Sequence, residues 1–217
     1  MASLARVLVA TWLIGCFGAP LIAIAAEQKV QPDAATAGLL AEVRRTFRLH
    51  GKPIPPEIFR DYGDGNLADS SDIWVTVNVA AAIGSNLYYD DIKEDADWVF
   101  QKKIGQKPED SQETAYKFIG STDNGLLVVI ATFNGGGSGY FTTLHILDLT
   151  ASRAFDLSGN SYWQINLTAI RNVPLGDRWN GVVSIAKNSV RIVTTRDGPA
   201  DMKGAGRPTV AIAAQRP

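Results

Sequence analysis

From Ile73 onward apolar residues recur at every second position, and this period constrains the fold more than any other feature of the chain. Ile73, Val75, Val77 and Val79 alternate with Trp74, Thr76 and Asn78, the pattern of a strand with one face in a core. The same reading predicts strands over 98–104, 115–121, 126–133, 140–149, 162–170, 181–185, 190–195 and 209–213. The breaks between them are rich in turn formers: Asp123-Asn124-Gly125, Asn134-Gly135-Gly136-Gly137-Ser138-Gly139, Ser158-Gly159-Asn160 and Lys187-Asn188. Short strands joined by turns rather than by helical stretches predict sequential antiparallel hairpins, not βαβ units. The region 73–213 is therefore expected to be an antiparallel β-sandwich or partly open barrel.

Ahead of it the period is 3.6. Ala35, Leu39, Leu40, Val43 and Phe47 share one helical face, with Arg44, Arg45 and Arg48 on others. Asp33 is placed to cap the start and Gly51 to end it, which predicts one amphipathic helix over 33–49 that covers a face or edge of the sheet. Residues 52–56, with prolines at 53, 55 and 56, read as a stiff extended connector.

At the amino terminus, Arg6 precedes an apolar run over 7–26 that closes on Ala23-Ile24-Ala25-Ala26 before the charged Glu27. This is the layout of a secretory signal peptide, and Pro20 argues against a retained helical span. Cleavage is expected after Ala25 or Ala26, leaving residues 27–217 as a single β-rich domain. A competing reading comes from Leu13-Ile14-Gly15-Cys16, which has the form of a lipoprotein box and would tether the protein through Cys16. The apolar residues 17–26 weigh against it, because a lipidated cysteine is usually followed by a polar tether.

Cleavage near Ala26 removes the only cysteine, so the mature chain has no thiol. Disulfides, thiol nucleophiles and cysteine-ligated zinc are then excluded, and the domain must hold together by burial, for which its length suffices. It also removes Arg6 and no acid, moving the net charge from −1 to −2. Such a balance gives no reason to expect nucleic acid or an anionic membrane as a partner.

Four carboxylates and an amide, Asp61, Asp64, Asn66, Asp69 and Asp72, fall in a glycine-bearing stretch whose oxygens suit calcium. The spacing departs from the twelve-residue calcium loop and lacks its closing Glu, and turn-forming Asp and Asn residues explain the same composition. No other cofactor is expected. The glycine loop 134–139 lacks the Lys-Ser/Thr and helix of a phosphate cradle, and Tyr140 stands where a nucleophile elbow needs glycine. Ser138, His145 and Asp148 do not form a local triad, since 145 and 148 point to opposite faces of a strand. His145 is expected to be a partly buried, hydrogen-bonded residue, and His50 to lie at the helix end.

Trp74, Trp98, Trp163 and Trp179 supply aromatic surface for stacking on a glycan. Trp163 shares parity with Ile165 and Leu167 and so belongs to the core, whereas Trp74 opposes the Ile73 set and is the better ligand candidate. Gly176-Asp177-Arg178 reads as a turn in which Asp177 accepts backbone N–H bonds and Arg178 is available to a carboxylate. Should this corner be a ligand site instead, Asp177, Arg178 and Asp201 would carry it.

Gly136-Gly137-Ser138-Gly139-Tyr140-Phe141, Leu144-His145-Ile146-Leu147-Asp148, Leu175-Gly176-Asp177-Arg178-Trp179 and Gly198-Pro199-Ala200-Asp201 follow one another in that order. In this pattern the chain resembles a group of uncharacterised exported bacterial proteins. The resemblance implies an envelope location and a β fold, and carries over no functional residue. The expected function is that of a periplasmic or secreted binding protein without catalytic activity, with an envelope protein or glycan as partner. The alternatives are a glycan-binding module and a calcium-stabilised envelope protein; membrane attachment is expected only through a lipidated Cys16.

Overall fold

The computed structural model describes residues 31–63, 75–84, 89–103, 111–194 and 209–216. Ala25, Ala26, Cys16, Asp64, Asn66, Asp69, Asp72, Trp74 and Asp201 lie outside the described residues.

Asp33 starts the first helix, α1 (Ala34–Thr46), its Oδ1 accepting the Thr36 amide at 2.8 Å. That bond satisfies one of the amides a helix amino terminus leaves without a partner. The helix stops three residues short of the expected 49, and Gly51 is not its cap. Phe47 itself takes the left-handed conformation, with φ of 54°, and turns its ring into the core. Burying a Phe side chain contributes about 1.5–3 kcal/mol, enough to offset the 1–2 kcal/mol cost of that conformation.

In place of an extended connector, β1 (Arg48–Leu49) and β2 (Lys52–Pro53) pair as a small hairpin. Its turn is held by Glu42, whose carboxylate accepts the His50 and Gly51 amides at 3.1 and 2.7 Å. A short helix that the sequence reading missed, α2 (Ile58–Gly63), follows Pro55-Pro56. Asp61 falls within it, its side chain outside the described set.

The alternation that begins at Ile73 ends early. Among the described residues of that stretch, 75–79, the strand is β3 (Thr76–Asn78), and Val79, expected to continue it, opens α3 (Val79–Gly84). The signal was Asn78 before Ala80-Ala81-Ala82: the Asn78 side chain accepts the Ala81 amide at 3.2 Å as a helix cap, and alanine is the strongest helix former.

A short strand that the sequence reading missed, β4 (Lys93–Asp95), precedes the expected ones, which are present as β5 (Trp98–Lys103), β6 (Gln112–Ser121), β7 (Leu127–Asn134), β8 (Phe141–Phe155) and β9 (Ser161–Asp177). With β3 they form a seven-stranded antiparallel sheet in the order β3-β9-β8-β7-β6-β5-β4. A second antiparallel sheet comprises β10 (Val182–Ala186), β11 (Ser189–Val193) and β12 (Thr209–Ala213). The architecture is sandwich-like and mainly β, and it is not closed into a barrel.

The large sheet is the middle of three layers. One face carries Val99, Tyr116, Leu127, Val129, Leu147 and Leu167 against Leu40, Val43, Phe47, Ile58, Phe59 and Val79 of the helical layer. The other carries Val128, Ile130, Leu144 and Ile146 against Val190, Ile192 and Ile212 of the small sheet. Burial on both faces explains why 126–131 is apolar without alternation. Strand β8 outruns its neighbour: its pairing with β7 ends at Leu127↔Leu147, while its pairing with β9 continues to Phe155↔Ser161. The β8–β9 hairpin therefore projects past the sheet as a two-stranded arm.

Candidate functional site

Gly176-Asp177-Arg178 forms the corner that its composition suggests. Asp177 Oδ1 accepts the Tyr140 amide at 2.7 Å, the Arg178 amide donates to Tyr140 O at 2.8 Å, and the Arg178 guanidinium donates to Ser138 O. Both residues thus clasp the end of β9 to the glycine loop. Within that loop the Asn134 side chain donates to Gly137 O and accepts the Gly136 amide, at 3.0 and 2.8 Å. These bonds account for both polar side chains as structural fasteners.

The hydrolytic set is not assembled. Ser138 is exposed in the loop. His145 lies on the helix-covered face of β8, its ring 5.0 Å from that of Phe59 and its Nδ1 hydrogen-bonded to Asn172 Oδ1 at 2.8 Å. Asp148 accepts Arg216 Nε at 3.1 Å. Burial holds His145 down to a pKa of about 4, against which the Asn172 bond acts only partly, so the imidazole is neutral at pH 7. It is more deeply buried than alternation alone indicated. Trp163 is only half buried, its ring 4.9 Å from the Arg153 guanidinium carbon, and it lies at the rim rather than in the core.

Layering creates a site that no local motif announces. The three-stranded sheet is narrower than the sheet it covers, and beside β10 it leaves an open cleft of about 350 Å³. Trp98, Lys117, Ile130, Thr132 and Thr142 form its floor from β5 to β8, and Trp179, Asn180 and Gly181 its wall. The volume lies toward the lower end of the roughly 300–1,000 Å³ typical of small-ligand sites.

Gly181 sets that wall. A Cβ there would collide with the Trp179 ring and with the Val193 carbonyl, so only glycine lets the indole fold back over the chain beside the cleft. Lys117 brings a cation to the rim, where the Asp97 carboxylate meets it at 2.8 Å. The pair leaves the cleft close to neutral. Two indoles, two hydroxyls and an amide around an uncharged, open space suit a ligand with an apolar face and a polar edge, and suit an anion poorly.

Trp98 and Trp179 both figured among the stacking aromatics of the sequence, but nothing near either marks it as a partner of the other. Among the described residues no group of His, Cys, Asp and Glu is arranged to hold a metal ion. No family model, no curated protein and no solved structure matches the chain.

Proposed function

We propose that this chain is an exported binding protein of the bacterial envelope, not an enzyme, and that the Trp98–Trp179 cleft receives a saccharide segment. The observation that carries the reading is the meeting of two half-buried indoles with Thr132, Thr142 and Asn180 in one open, nearly neutral cleft. A sugar ring offers an apolar C–H face to the negative face of an indole and a rim of hydroxyls to side-chain donors and acceptors. The export assignment rests on the apolar run 7–26, its small-residue end and the resemblance to exported proteins.

Titration with soluble peptidoglycan and polysaccharide fragments, followed by tryptophan emission, tests the ligand class. Quenching or a blue shift is expected, with affinity about tenfold weaker in Trp179→Ala, the loss of one stacking contact worth roughly 1.4 kcal/mol. An unchanged spectrum with every saccharide would remove the glycan and leave only an envelope protein as partner. Turnover of any esterase, glycosidase or peptidase substrate that Ser138→Ala or Asp177→Ala abolishes would overturn the non-enzymatic reading.

A further inference from the structure

One edge of the small sheet opens into the Trp98–Trp179 cleft, and its register shows which backbone groups face outward. Lys187 and Asn188 form a two-residue turn between Ala186 and Ser189, which pair across β10 and β11. The pair that closes such a turn exchanges both backbone hydrogen bonds, and bonded and non-bonded pairs alternate from there. Ala186, Ser184 and Val182 therefore bond to β11, whereas Val183 and Ile185 turn their N–H and C=O away from it. The third strand obeys the same parity: the Ala214 amide donates to Asn188 O at 2.9 Å, as the pairing of Val190 and Ile192 with β12 requires.

Strand β10 is the first in the order β10-β11-β12, so among the described residues no strand lies on its outer side. At one end of this edge the Lys187 carbonyl is taken by the Asp123 amide at 3.2 Å. Of the two residues still open, Val183 lines the cleft and Ile185 does not. The cleft thus receives one backbone N–H and one C=O that have no partner among the described residues.

What lies beside that edge narrows the ligand. Ile119 and Ile130 put apolar surface on the floor, and Thr132 and Thr142, neighbours across β7 and β8, put two hydroxyls there. A sugar hydroxyl would answer the edge or a threonine and leave the isoleucines bare. A secondary acetamide answers all three: its carbonyl accepts from an edge N–H, its own N–H points the opposite way, and its methyl covers aliphatic carbon. A docked peptide strand instead needs a row of outward-facing residues, and with Ile185 outside the cleft and the Lys187 carbonyl engaged the open edge is one amide long.

We propose that the cleft selects an N-acetylated amino sugar, whose acetamido carbonyl accepts the Val183 N–H. Selection of this kind rests on the saccharide reading of the cleft and adds the substituent that its ligand carries.

Triacetylchitotriose and cellotriose share one linkage and differ only in the acetamido group that replaces a hydroxyl on each ring, so tryptophan emission is followed with both. The acetylated sugar should bind about tenfold more tightly, the effect of one net hydrogen bond and a covered methyl. Val183→Pro removes the outward N–H without touching the β11 ladder, at a place where an edge strand tolerates proline, and should cut that preference to about threefold. Equal affinity for the two sugars, tighter binding of cellotriose, or a preference that Val183→Pro leaves intact overturns the acetamide assignment and leaves a saccharide cleft. No response to any saccharide removes both. Displacement of triacetylchitotriose by tetra-alanine also overturns the assignment, since the β10 edge would then take a peptide strand. Where Val183→Pro does not fold, the wild-type comparison of the two sugars decides.

Discussion

The two faces of the seven-stranded sheet are covered in different ways. On one, helices and a small hairpin close over an aromatic cluster in which the Phe47 ring lies 5.2 Å from Tyr116 and 5.3 Å from Phe118. On the other, a sheet of only three strands covers the middle and leaves the Trp98–Trp179 cleft at its side. Helices adapt to irregular apolar surface through long side chains, whereas a short sheet presents a flat, bounded face. The first face is thus a continuous core, and the second divides between core and cleft.

Adjacent residues of β8 test that division most strongly. Leu147 and Ile146 are both buried but point to opposite faces. Each change to alanine should cost about 2–5 kcal/mol in denaturant unfolding. Only Ile146→Ala should also alter saccharide-dependent tryptophan emission; equal effects on binding would mean that the faces are coupled.

Acid should act next, and through the helix-covered face. Unfolded, the His145 imidazole takes up a proton below its usual 6.5; folded, it resists down to about 4. Between those values the unfolded chain binds more protons, so this contribution is full above pH 6.5 and falls as the pH drops toward 4. The loss approaches roughly 3 kcal/mol. The stability gap between wild type and His145→Gln should narrow over that window, as read from denaturant midpoints, and a constant gap would place the acid sensitivity elsewhere.

On the cleft side, Gly181→Ala should displace the Trp179 ring and weaken saccharide binding about tenfold, as the loss of one stacking contact would. Binding unchanged by this substitution would separate Trp179 from the site. The smallest folding effect belongs to the corner: Asp177→Ala removes the acceptor of the Tyr140 amide and should cost about 1 kcal/mol, with binding intact. Loss of binding without loss of stability would return Asp177 to the list of ligand residues.

What was legible in the chain was local. The hairpin turns at 123–125, 158–160 and 187–188 and the strand β12 follow from alternation and turn chemistry within a few residues of each other. The errors were local competitions as well. The alternation through Val75 and Val77 masked the Asn78 cap and the alanines behind it, and Phe47 ended its helix because the core needed its ring. The lengths of β8 and β9 were underestimated because the added residues do not alternate cleanly: 150–155 of β8 is largely exposed, and 171–177 of β9, paired with 141–146, carries Asn172, Pro174 and Gly176. Asp177 was readable as a backbone acceptor, though not its partner Tyr140, which lies across a strand pair.

By itself, then, the sequence determined the class of the fold, antiparallel hairpins with a capped amphipathic helix, while export is a proposal that rests on the apolar run 7–26. Periodicity, turn chemistry and the apolar run act over short stretches and need no knowledge of what packs on what. Only the tertiary structure decided which face each cover takes, that the small sheet falls short of the large one, and that Trp98 and Trp179 share a cleft. Those outcomes depend on the areas of surfaces that meet across layers, a quantity no window of the chain contains.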